Sequence, residues 1–212
     1  RGLGDVYKRQ TSDPGVDDNY VEEKLGLCGN CSGSYFLTDV RVADDHSFPK
    51  NPLDGFGPGN ALCAAVALGC AEGALAKTMD FVQHRSHKGQ PIGAKQVVAH
   101  RIARMWGQIE QSRALIYESL GMADRLIATG DTSLAAETKM LISTSKYTTC
   151  EMAIDVAKQC VWLHGGLGIV EETRISRYLR DAQTLSIADG TPDLHIESVA
   201  FLLGMPSSQL TI

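Results

Sequence analysis

The sequence predicts a mainly α protein: an antiparallel helical bundle preceded by the truncated remnant of a β domain. Two observations carry this. From about residue 61 onward, apolar residues recur at three- and four-residue spacing, interrupted only by short Gly- and Pro-bearing turns. Before that, Thr11 to Lys50 is rich in Gly, Asp, Ser and Asn and holds one alternating stretch, Ser34 to Val42, which reads as a strand of a half-buried sheet. A lone strand or hairpin is not stable. Residues 11–50 are therefore expected to be the end of a β domain whose main part lies upstream.

Asn51 to Asn60, with two prolines and three glycines, reads as a linker opening the bundle domain of residues 51–212. The first helix covers Ala61 to His84, with Ala or Gly at nine positions, small enough for neighbouring helices to approach closely. Pro91 and Gly93 are expected to open a long second helix. Its apolar face runs Val98, Ile102, Met105, Ile109, Ile116, Leu120, Ala123 and Ile127. Gly130 to Ser133 turns the chain, with Ser133 as N-cap of a third helix. That helix ends in Met152, Val156, Cys160 and Leu163 on one face, and His164-Gly165-Gly166-Leu167-Gly168 breaks it. A shorter helix covers about Ile175 to Thr184. The last has the clearest start: Thr191 as N-cap, Pro192 at the first position and Asp193 at the positive end of the dipole. It stops near Gly204-Met205-Pro206.

Composition bounds the rest. At 212 residues, 43% hydrophobic and 21% charged, the chain can bury a core without disulfide or metal staples. A net charge of −5 argues against a nucleic-acid surface, and no run of eighteen consecutive apolar residues suggests a membrane span. Six cysteines, with one C-x-x-C at Cys28 and Cys31, read as free buried thiols of a reducing compartment. The expected location is the bacterial cytoplasm, or the mitochondrial matrix in a eukaryote. Residues 1–10 read as non-native. Asp5 to Gln10 resemble the translation of a transposon-end adapter carried into metagenomic assemblies. On that reading the chain is a C-terminal piece, inactive by itself.

No Glu has a His three residues on, and no H-E-x-x-H, G-x-S-x-G or phosphate-binding P-loop occurs. No metal ligand is assigned, and most of the six histidines read as surface or capping residues. Three features stand out together. Arg85 is followed by Gly89-Gln90-Pro91-Ile92 and Gln96. His164-Gly165-Gly166-Leu167-Gly168 is followed by Arg180-Asp181-Ala182. Ala188-Asp189-Gly190-Thr191 directly precedes the final helix.

In this order and spacing they resemble the C-terminal half of the acyl-CoA dehydrogenase family, over about Glu22 to Leu203. The resemblance implies FAD, an acyl-CoA substrate oxidised to its 2,3-enoyl form, an electron-transferring flavoprotein as acceptor, and a homodimer or homotetramer. It places Arg85 on the FAD diphosphate of a neighbouring subunit and Gln96 on the same cofactor. Trp162, Leu163, His164, Gly165 and Gly166 fall along the adenosine side. Thr191, Pro192 and Asp193 line the flavin, and Asn60 and Gly190 fall to the substrate. Asp189 takes the place of the catalytic base, which is expected to be desolvated so that its pKa approaches working pH.

The sequence departs from the family at three points. The usual base is Glu, one methylene longer than Asp189. An aromatic is replaced by Lys88, and a glutamine by Trp162, whose indole cannot make an amide's two-way hydrogen bonds. The base position some members use on the first bundle helix holds Gly59 and Asn60. Two other readings stay open: a non-catalytic partner subunit of a hetero-oligomeric dehydrogenase, and a helical-bundle interaction protein without ligand. On residue type alone, Arg85 is a solvated charge at a helix end.

Overall fold

The computed structural model describes residues 6–7, 14–30, 32–41, 47–48 and 57–206. The chain divides into two compact units, Arg1–Gly55 and Phe56–Ile212.

In the first unit, β1 (Val6–Tyr7) pairs antiparallel with β4 (Ser47–Phe48), and β2 (Val16–Val21) pairs antiparallel with β3 (Gly33–Leu37). Val16 faces Leu37 and Val21 faces Gly33, with an irregularity between Asp17 and Tyr20. The strand predicted over Ser34–Val42 therefore ends at Leu37, because the backbone turns at Thr38 and Asp39, where φ is 51°. It is not half-buried either: Tyr35, Phe36 and Leu37 are 60–64% exposed. Alternation reports the pleat, not what packs on it. The rest of residues 1–10, and Cys31 of the C-x-x-C, lie outside the described residues. Cys28 is exposed rather than buried.

In the second unit, α1 (Pro58–His84) starts earlier than predicted, with Pro58 in its first turn after an extended Gly57. Residues 51–56 of the expected linker lie outside the described residues. Ala61, Ala64, Ala67, Ala71 and Ala74 are fully buried, and α1 packs on the second, third and fourth helices of the bundle. Among the described residues it is the one helix long and apolar enough to cross a bilayer. About half of its most apolar stretch is buried inside the bundle, as in a core helix.

A hairpin follows: β5 (Ser86–His87) and β6 (Gln90–Pro91), joined by Lys88 and Gly89 at φ 53° and 80°. Two positive φ values in a two-residue loop match the strand twist. Pro91 thus belongs to a strand. After a 3₁₀ turn over Ile92–Ala94, α2 opens at Gln96 and runs to Thr129. Its predicted stripe is buried at Val98, Met105, Ile109, Ile116 and Ala123. Ile127 is 65% exposed, two residues before α2 ends and the chain turns away.

Asp131, not Ser133, makes the next cap. Its carboxylate accepts from the Ser133 N–H at 3.0 Å, and α3 begins only at Ala135 and ends at His164. Then come α4 (Ile175–Ile187), three residues longer than predicted, and α5 (Pro192–Leu202). Thr191 sits at the N-cap of α5 in extended backbone but makes no side-chain cap bond.

Central in the bundle is α3, which packs on α1, α2, α4 and α5. It runs parallel to α1. Cys63 and Cys150 meet at one end, where both thiols donate to the Leu185 carbonyl at 3.7 Å. The Phe81 and His164 rings stack at the other, 4.1 Å apart. Burial pushes the Cys160 thiol up to about 11, which keeps it an inert core residue.

Candidate functional site

Asp189 sits on the turn between α4 and α5 with φ 53°, a left-handed conformation rare for a residue with a side chain. Gly190 follows at φ 102°. A Cβ there would come within 3.1 Å of the His195 Nε2, so the position calls for glycine. Strained backbone of this kind persists only where surroundings over-determine it. Here they do. Nε2 of buried His195 donates to the Asp189 carbonyl at 3.1 Å. Nζ of Lys146, fully buried on α3, donates to the Ser186 carbonyl at 2.9 Å and also to that of Gly190. The carbonyls around Asp189 are tied down, while Asp189 itself is exposed. A turn at the bundle's edge receives no cover from the described helices.

Asn60 is buried in the first turn of α1. Cys63, one turn on, donates to Leu185 at the end of α4, so the start of α1 lies near the Asp189 turn. Thr191 and Pro192 are half-buried at the start of α5, and Asp193 is exposed.

A second site forms at the far end of α1. Arg85 caps α1, and a cleft of about 470 Å³ is lined by Lys77, Asp80, Phe81, Arg85, His164 and Glu172, among others. The guanidinium of Arg85 makes no ion pair among the described residues, and neither does Lys77. A free planar guanidinium, with Lys77 about two turns earlier along the same cleft, suits a diphosphate. Asp80 and Glu172 offset the charge in part. His164 donates from Nδ1 to the Cys160 carbonyl at 2.8 Å, which leaves Nε2 of the neutral ring as an acceptor. Gly165 ends α3 with φ 58°.

Arg85 and His164, two of the predicted cofactor residues, thus line one cleft. Others do not join them. Trp162 is 61% exposed on another side of α3, with Lys158 Nζ 5.4 Å from its ring centroid. Gln96 is exposed at the start of α2 and lies outside the cleft's lining. Twenty-five residues of helix separate Asn60 from Arg85, roughly 37 Å at 1.5 Å per residue. The two sites therefore stand at opposite ends of α1.

Sequence reasoning passed over Lys146, Lys77 and Phe81. The signal for Lys146 was its place on the buried α3 stripe of Ile142, Thr149, Ala153, Val156 and Cys160. A charge on a core stripe has to be held by something.

His84, His87 and His100 are exposed, as most histidines were expected to be, while His164 and His195 are buried. Burial lowers both from the ordinary 6.5, with nearby lysines adding to the effect. In the unfolded chain they bind protons more readily, so stability rises with pH through this window and is lost as pH falls below about 6.5. Urea unfolding at pH 7.5 and 5.5 is expected to show this drop. In His195→Gln, which keeps a donor but does not titrate, the drop should shrink. An equal drop in both proteins would show that His195 is not responsible.

The family model for the acyl-CoA dehydrogenase C-terminal domain matches residues 52–203. An acyl-CoA dehydrogenase of Bacillus subtilis (strain 168) is 29% identical over 199 residues, covering 90% of this chain and 50% of its own length. The caffeyl-CoA reductase-Etf complex subunit CarC of Acetobacterium woodii is 26% identical over 184 residues, 84% of this chain and 46% of its own. A glutaryl-CoA dehydrogenase from Mycobacterium smegmatis, solved in complex with FADH2, has the same fold, with a TM-score of 0.81 at 23% identity over 96% of this chain and 52% of its own. The chain spans about half the length of the curated relatives it matches.

Proposed function

Because the chain belongs to the acyl-CoA dehydrogenase family by its C-terminal domain, we propose that the whole protein is an FAD-dependent acyl-CoA dehydrogenase forming a 2,3-enoyl thioester. The observation that carries this is the Asp189 turn: an exposed carboxylate on strained backbone, with the carbonyls around it bound to buried Lys146 and His195. Asp189 takes the weakly acidic proton from C2 of the acyl group, a general-base step that requires a fixed carboxylate. Gly190 and Asn60 form the near wall for the thioester. Thr191, Pro192 and Asp193 border the flavin. When bound, FAD supplies the acceptor for the hydride that leaves C3.

Arg85, with Lys77 in the same cleft, holds the diphosphate of a second copy's FAD. His164, Gly165 and Gly166 let the chain approach the adenosine closely. Support for FAD comes from the glutaryl-CoA dehydrogenase solved with FADH2, and for an electron-transferring flavoprotein as acceptor from the relative in an Etf complex. The roughly 37 Å between the two sites on α1 supports a homodimer or homotetramer.

The test is anaerobic stopped-flow of the flavin-loaded whole protein with a panel of acyl-CoAs. At least one is expected to bleach the flavin. If none does, the non-catalytic partner reading replaces this one.

A further inference from the structure

The last carbonyls of a helix have no partner within the helix, and those of α4 end inside the protein. Thr184 O accepts from the Ala188 N–H at 3.1 Å. Leu185 O accepts the Cys63 and Cys150 thiols. Ser186 O accepts from Lys146, and so does Gly190 O beyond the turn. One ammonium therefore bridges the end of α4 to the residue after Asp189, and a cation there is favoured by the helix dipole. Lys146 is fully buried, so no water can replace a lost partner. A buried ammonium without acceptors is costly. The turn and the lysine consequently hold each other in one arrangement.

We propose that Lys146 is the positioning residue for Asp189: it acts through the Ser186 and Gly190 carbonyls to hold the base-bearing turn in its left-handed conformation. His195 secures the carbonyl of Asp189 itself. The proposal rests on the dehydrogenase reading for its catalytic consequence, but the geometric link is tested without it.

The first measurement is amide hydrogen exchange on the 212-residue chain with Lys146→Met, which is one atom shorter and removes the donor. Exchange of residues 187–191 should rise at least ~10-fold, the worth of one hydrogen bond from a charged donor. Exchange in the α2 core around Met105 and Ile109 should stay unchanged. A uniform rise, or none, overturns the proposal. Lys146→Gln, as short as the Met variant but still a donor, is expected to lie between wild type and Lys146→Met. If neither variant folds, Lys146 is a core element rather than a local positioner, and the proposal falls.

The second measurement is turnover of the flavin-loaded whole protein. Lys146→Met should lower kcat about 100-fold, as a misplaced catalytic group does, with KM changed less than about threefold. Combined with Asp189→Asn it should add no further loss, since residues acting as a unit are not additive. Unchanged kcat, or a loss that multiplies with Asp189→Asn, overturns it. If Asp189→Asn alone leaves flavin reduction intact, the base assignment fails, and the exchange result still decides the Lys146 link.

Discussion

Replacing Asp189 with Asn in the flavin-loaded whole protein is expected to slow flavin reduction by a good acyl-CoA at least ~100-fold, the usual worth of a positioned base. FAD content and acyl-CoA binding should stay close to wild type, because the amide keeps size and shape while losing the proton acceptor. The exposed side chain supports this: its removal leaves no core cavity and breaks none of the backbone bonds that hold the turn. Asp189→Glu adds about 1.5 Å of reach, one carbon–carbon bond, and restores the residue common in the family. It should retain activity and shift chain-length preference. Flavin bleaching in the Asn variant at the wild-type rate would remove Asp189 from the chemistry.

The second large effect concerns Arg85. Its guanidinium stands at the end of α1 with no ion pair among the described residues, facing a cleft walled by Phe81 and His164. Arg85→Lys keeps the charge and loses the two-pronged geometry, so FAD is expected to bind at least ~10-fold more weakly, as when a charge-assisted hydrogen bond is lost. The check is the Kd for FAD, measured on refilling the apoprotein. Since the lysine variant disturbs no buried group, thermal stability without FAD should not move. An unchanged Kd would make Arg85 a solvated charge at a helix end.

Much of this fold was legible in the sequence because its punctuation is local. Pro58, Gly130, Gly165 and Pro192 act on their own backbone, and each lies at a helix boundary in the structure. The stripe from Val98 to Ala123 follows from helical period alone. So does the order of Arg85, the Gly165-Gly166 break and the Asp189 turn, which pointed to the family before any geometry was known.

Tertiary structure alone decided which of these residues meet. Periodicity tells which face of a helix is apolar but not which helix covers it. Hence Ile127 continues the stripe yet stands exposed, and Trp162, two residues before His164, misses the cleft that His164 lines. Arg85 and His164 converge because α1 and α3 run parallel and end together. The α3 stripe marks Lys146 as a charge on a core face, but not what holds it there. The lysine is buried because its acceptors, Ser186 and Gly190, come from 40 and 44 residues further along the chain. A buried charge is tolerable only where the fold brings such partners to it, and no local pattern records them.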